Sequence, residues 1–460
     1  MAADGEIALG QCFVGGRLYY TTPGPSGSSG LWFCSTAGLE RFQVVAERYP
    51  EAVSADFLAQ MEVQAARSRN LAPRAWASWS VTSREEFLKG TVACDTKNLF
   101  QRLRSFIMRF HWAPEPGNYD LLATFVMSTY LYTVADAVPS LHLMGDPDCG
   151  KTRVAEIVQR VAFKPLFASD LTAPVLFRWL ALIRSVLILD EQEGGIDPLV
   201  AKVLRASYRL SGTVFRSEAR VPTSFRCFSP KLLVSNTKLL DEALASRFIP
   251  YRCERAPHPV DKLLDRSVAA EGAALRDDLH VFALRAAPDV AGRYSDHPHV
   301  DGVSNRDEEI ATLLWAVAAY VDAQPGPSLA LHERVVELMK NLSDERARGR
   351  ELDGERSRLR FAIRNFLIEC GDKAVNGIPG YYLAEDFVRY ANASGELECR
   401  IPNTKIASEK LGRYGLLADR KRVDIETRGA GQIPGIPTAR PCSRIQRTAF
   451  RFAESQPQRP

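Results

Sequence analysis

The period of the apolar positions changes several times along this chain, and each change marks a boundary between elements. Residues 11–14 and 18–22 are β-prone runs around Gly15-Gly16, which predicts a hairpin. Residues 23–30 form a loop by composition, and 57–69 then take a helical period. A helix over 99–110 and a more apolar one over 121–134 lead into the middle of the chain. From 140 to 254, short apolar runs (140–144, 165–167, 185–189, 231–235, 248–252) alternate with helical segments (151–161, 173–183, 198–208). That alternation predicts an α/β fold built on a parallel sheet with crossover helices. Residues 259–346 read as all-helical, and the chain from about 356 mixes helices with a basic, β-prone tail.

At 460 residues the chain has room for about three domains of roughly 150 residues. The pattern divides it into an N-terminal accessory unit (1–95), a helical lead-in (96–139), the α/β core (140–255), a helical segment (256–350) and a C-terminal unit (356–460). A net charge of +4 is too small to mark a polyanion partner. Its distribution is more informative, because windows 201–260 and 401–460 each carry seven more basic than acidic side chains. The longest apolar stretch, 121–135, falls short of the roughly 20 residues a membrane span needs, so no membrane partner is expected. Nine cysteines without a CxxC pair, seven histidines without HExxH and an N-terminus unlike a secretion signal point to a reduced, cytoplasmic protein.

Gly145-Asp146-Pro147-Asp148-Cys149-Gly150-Lys151-Thr152 matches G-x-x-x-x-G-K-[ST], after an apolar run and before a helical one. Backbone N–H groups of such a loop cradle phosphate oxygens at a positive helix end. Lys151 then supplies charge to the β- and γ-phosphates of ATP, and the Thr152 hydroxyl can ligate Mg²⁺. The alternative is a glycine turn that caps a helix.

The run 186–189 ends in Asp190-Glu191, two carboxylates at the end of a buried strand. Asp190 would hold Mg²⁺, and Glu191 would orient and deprotonate the attacking water; read alone, the pair is a strand entering a solvated turn. Asn236, directly after the run 231–235, is placed to touch that water or the γ-phosphate, or else is a turn residue. Arg247, just before the last run, is a candidate arginine finger or an ordinary surface arginine.

Gly-Asp-Pro opening the loop, Leu187-Ile188-Leu189-Asp190-Glu191, Asn236 after the fourth strand and Ser246-Arg247-Phe248 resemble the AAA+ ATPases. The likeness is closest to MCM-like helicases and to the primase–helicase and replication ATPases of phages and mobile elements. It covers about 140–255, a quarter of the chain. It implies a helical lid over 256–350 and a homo-oligomeric ring, a hexamer, with ATP at subunit interfaces. It also implies that Asn236 is the first sensor, that Arg247 is a finger and that Arg306, in Asn305-Arg306-Asp307, is the second-sensor arginine. The stretch after Glu191 reads Gln-Glu-Gly-Gly with no inserted arm, and no primase-type metal motif is present, so priming is not implied.

Two segments are candidates for DNA. Runs 213–216 and 224–228 predict a hairpin of the kind MCM-like rings insert into their pore, with Arg216 and Arg220 to grip phosphates of a single strand. The alternative is that these arginines line the ATP interface or solvate the surface. At the C-terminus, a helix over 381–390, a second from Asn403 or Thr404 to Tyr414 carrying Lys405, Lys410 and Arg413, and strands over 420–426 and 444–452 read as a winged helix. Such a module binds duplex DNA or serves protein contacts equally well. The expected activity is an ATP-driven DNA translocase or helicase; the rival is a DNA-associated switch or loader that recruits a partner without unwinding.

Overall fold

A computed structural model describes residues 10–22, 24–25, 31–53, 79–183, 185–190, 196–218, 221–235, 242–263, 266–370, 382–394, 416–419 and 449–452. The expected helix over 57–69 lies outside them. The chain divides into two compact units, 1–344 and 345–460.

The first unit opens with an antiparallel four-stranded sheet of β1 (Gln11–Val14), β2 (Arg17–Thr22), β3 (Trp32–Ser35) and β4 (Gly38–Arg41), followed by α1 (Phe42–Arg48). Gly15 and Gly16 take positive φ (56° and 70°), the conformation a two-residue turn matching the strand twist demands. Phe13, Leu18 and Tyr20 from this sheet enter the same core as the segments that follow. These are α2 (Val81–Leu88), α3 (Thr96–Phe110) and α4 (Pro116–Thr129). Asp95 caps α3 by accepting from the Asn98 N–H at 3.0 Å, and Pro116 opens α4, where no N–H partner is needed.

The central layer is five strands: β5 (Ser140–Met144), β6 (Leu166–Ala168), β7 (Leu187–Leu189), β10 (Lys231–Ser235) and β11 (Ile249–Arg252). They run parallel in the order β11-β5-β10-β7-β6. β5 and β10 are almost wholly buried, which is why their sequences are continuous apolar runs. α5 (Lys151–Val161), α6 (Ala173–Ile183) and α7 (Pro198–Ala206) are the crossovers. Between α7 and β10 stands an antiparallel hairpin, β8 (Thr213–Glu218) and β9 (Val221–Arg226). α8 (Glu242–Ala245) precedes β11, and α9 (Arg266–Ser295), α10 (Asn305–Ala323) and α11 (Leu331–Cys370) follow. The expected α/β class and parallel sheet are therefore present. α7 ends two residues before its expected limit, and beyond it the Tyr208 carbonyl accepts from the Val138 N–H (2.9 Å) and the Leu210 N–H donates to the Asp136 carbonyl (2.7 Å).

α11 continues into the second unit, where β12 (Tyr382–Leu383), α12 (Ala384–Ser394), β13 (Leu416–Asp419) and β14 (Ala449–Phe452) form an antiparallel sheet, β12-β14-β13, with one helix. Phe366 packs on Phe387 and Tyr390. The helix expected over 381–390 begins with a strand instead, since Tyr382 and Leu383 pair with Phe450 and Ala449. A strand stands at Leu416–Asp419; the strand expected over 420–426 lies outside the described residues. Among the described residues no helix is long and apolar enough to cross a membrane.

His280 on α9 shows how the N-terminal sheet is tied to this core. Trp79 stacks on its ring at 5.3 Å, Tyr20 and Tyr130 meet it edge-on at 5.1 and 5.0 Å, and its Nδ1 faces the Arg276 carbonyl at 2.7 Å. Burial drives its pKa down to about 3, and burial likewise holds His111 and His142 at about 4, against an ordinary 6.5. All three are neutral when folded, so between those values and 6.5 the unfolded chain binds more protons. The stability they protect is complete above 6.5 and is lost as pH falls toward 4. The urea midpoint is therefore expected to drop between about pH 7 and about pH 5; an unchanged midpoint would contradict the neutral assignments.

Candidate functional site

The loop between β5 and α5 is built around a close approach. A Cβ on Gly145 would sit inside contact distance of the Cys253 carbonyl oxygen and 2.6 Å from Cys149 Sγ, so only glycine lets the end of β11 pass. Asp148 and Gly150 take positive φ (61° and 88°), and Gly150 is the N-terminal cap of α5. Left-handed residues in a loop that leads into a helix N-terminus are the backbone pattern found in anion-binding loops.

Lys151 is buried and donates to the carbonyls of Gly145 (2.9 Å) and Asp146 (2.7 Å). Its ammonium therefore already lies over the loop, held by acceptors that a phosphate can replace. Asp190 follows the last residue of β7, only 4% exposed, and its Oδ1 accepts from the Thr152 hydroxyl at 3.3 Å. The sheet order explains this meeting. β10 lies between β5 and β7, so the carboxylate and hydroxyl face each other across the end of a third strand. That strand ends at Ser235, whose Oγ is 2.7 Å from His142 Nε2 beneath the loop. Among the described residues no group of three or more His, Cys, Asp or Glu could hold a metal alone. One carboxylate and one hydroxyl nevertheless fit Mg²⁺, which takes hard oxygens and draws most of its ligands from phosphate and water.

Glu191 and Asn236 directly follow described residues at this edge but are themselves outside the described residues, as are Arg220, Lys405, Lys410 and Arg413. The two remaining arginines stand elsewhere. Arg247 precedes β11, whose Ile249 pairs with Leu141, so it lies at the N-terminal edge of the sheet. The four residues of β11, at about 3.3 Å each, separate it from the level of the loop. Arg306 comes to the same edge, hydrogen-bonded through Nη1 to the Tyr208 hydroxyl. Both guanidiniums rest on the Tyr208 ring, at 5.1 and 5.3 Å from its centroid. Sequence reasoning did not single out Tyr208, because nothing local marks it. Arg216 on β8 lies over the Phe177 ring (5.2 Å) and donates to the Phe215 carbonyl (2.8 Å), while Phe215 is 68% exposed.

Comparison with models of known protein families finds none that matches this chain, and none of the curated proteins matches it. What the loop can do therefore rests on its own geometry. Gly145→Ala is expected to lower the thermal midpoint and abolish binding of a fluorescent ATP analogue, since the added methyl must push back Cys253 or Cys149 at a cost of about 1–3 kcal/mol. Unchanged binding in that variant would count against the close approach as part of the site.

Proposed function

We propose that this chain is an ATP-hydrolysing AAA+ P-loop protein that assembles into a ring, a hexamer, and translocates on or unwinds DNA in the replication of a phage or mobile element. The observation that carries the nucleotide part is the meeting of Thr152 and Asp190 beside a loop with Lys151 lying over it. On binding ATP, Lys151 exchanges two carbonyl acceptors for oxygens of the β- and γ-phosphates, and the loop N–H groups hold the chain of phosphates. Thr152 and Asp190 are the residues that would hold Mg²⁺. When bound, the ion neutralises phosphate charge and polarises the γ-phosphoryl group. Glu191, next to Asp190, is the residue to orient the attacking water and take its proton, with Asn236 beside it.

Arg247 and Arg306 stand at the sheet edge away from their own loop. In this reading they act on ATP held by a neighbouring copy, which makes the ring a condition of hydrolysis and the helical segment after 256 its lid. The DNA part rests on the hairpin β8–β9. An exposed Phe215 offers a face on which a base can stack, and Arg216 and Arg220 offer charge to the backbone of a single strand. The C-terminal unit, with Lys405, Lys410 and Arg413, is read as a winged-helix-like module for duplex DNA.

The test is steady-state ATP hydrolysis with and without single-stranded DNA. Lys151→Ala is expected to lower the rate on the order of a hundredfold or more, as when a charge aimed at the reacting phosphate is removed. Wild-type hydrolysis rising several-fold with DNA supports the motor. Hydrolysis indifferent to DNA favours the switch or loader, and a rate unaffected by Lys151→Ala overturns the ATPase reading.

A further inference from the structure

Tyr208 is the point at which three separate segments converge. The ring is buried, and the guanidiniums of Arg209, Arg247 and Arg306 lie over it at 5.4, 5.1 and 5.3 Å from its centroid. These arginines come from the turn after α7, the turn before β11 and the first turn of α10. Arg247 and Arg306 are consequently no more than about 10 Å apart although 59 positions separate them in sequence. The Tyr208 hydroxyl accepts from Arg306 Nη1.

The platform itself is held fast. The Tyr208 carbonyl accepts from the Val138 N–H at 2.9 Å, and the buried Lys231 ammonium donates to the preceding Ser207 carbonyl at 2.9 Å. Arg306 is fixed from its own side. Ser304 caps α10 by accepting from the Asp307 N–H (3.3 Å), and Ser343 reaches Asp307 Oδ2 at 3.0 Å. Arg247 donates through Nη1 to the Ala243 carbonyl, while its buried Nε has no acceptor.

The charge is unbalanced in one direction. Glu309 pairs with Arg209 and lies 3.9 Å from Arg306, so among these described groups one carboxylate stands against three guanidiniums. An arrangement of planar donors with surplus positive charge suits an anion with several oxygens.

We propose that Tyr208 is a positioning residue that holds Arg247 and Arg306 as one paired site for the terminal phosphate of ATP bound to a second copy of this chain. The inference rests on the nucleotide reading above and adds to it that the two arginines work as a unit through one ring. Neither long side chain then has to be ordered when the phosphate arrives, because the ring has already restricted both. Removing the ring should therefore cost turnover and leave ATP binding at the chain's own loop intact.

The experiment uses full-length protein, alone and in mixtures. Tyr208→Ala is expected to lower kcat about tenfold or more while binding a fluorescent ATP analogue within about twofold of wild type. Tyr208→Phe keeps the ring and loses only the Arg306 hydrogen bond, so its kcat is expected to fall only a few-fold. The decisive measurement mixes Tyr208→Ala with Lys151→Ala, each expected to hydrolyse ATP at no more than about a tenth of the wild-type rate alone. At a head-to-tail interface the Tyr208→Ala copy presents an intact loop to the intact arginines of the Lys151→Ala copy. Random mixing then restores on the order of a quarter of wild-type hydrolysis. A Tyr208→Ala protein that hydrolyses ATP at the wild-type rate overturns the proposal. So does an inactive one that the mixture fails to rescue, since that places the effect within one copy or in its folding. Wild-type protein that does not hydrolyse ATP removes the nucleotide reading itself, and is told apart from the other failures by that measurement alone.

Discussion

A parallel sheet buried on both faces has two unlike edges, and this structure depends on that constraint. Strand ends carrying the loop, Asp190 and Ser235 all lie along one edge, because five strands run in one direction with helices returning outside them. The ends where strands begin lie along the other edge, and there Tyr208, Arg247 and Arg306 collect. The Lys151 ammonium, the Thr152 hydroxyl and the Asp190 carboxylate meet at the first edge. Charges at the second edge are a sheet's depth away, which is why the proposed function gives them a target on a neighbouring copy.

Burial supports both edges. β5 must pass between β10 and β11 while delivering a loop whose glycine lies against Cys253, so the packing of β11 and the shape of the cradle are one property. At the opposite edge Lys231 is buried and ties β10 to the Ser207 carbonyl beside Tyr208. Burying an amine is costly unless it is hydrogen-bonded, and this one stabilises the turn that carries the tyrosine. The aromatic cluster around His280 performs a comparable task farther out, joining the N-terminal sheet to α4 and α9 through ring contacts.

Much of this was legible in the chain. The five strands and three crossovers fall within a residue or two of where the apolar runs place them, because a buried parallel strand must be apolar throughout and its crossover must repeat near 3.6 residues. The hairpin after α7 was readable from the β-prone runs 213–216 and 224–228. Where the reading slipped, tertiary contacts were responsible. Residues 208–210 bond to the segment before β5 past the end of α7, and Tyr382-Leu383 pair with a strand some 67 residues away.

By itself, then, the sequence determined the α/β class, the strand and helix order of the core and the glycine-bounded loop with its lysine and hydroxyl. Those features are local: they are written in short continuous apolar runs, in a period of 3.6 and in residues within one turn of each other. The tertiary structure alone decided that β10 separates β5 from β7, that Asp190 meets Thr152, and that Arg247 and Arg306 share the ring of Tyr208. Strand order and long-range ring contacts come from how finished elements bury one another, and no short window of sequence contains both partners of such a contact.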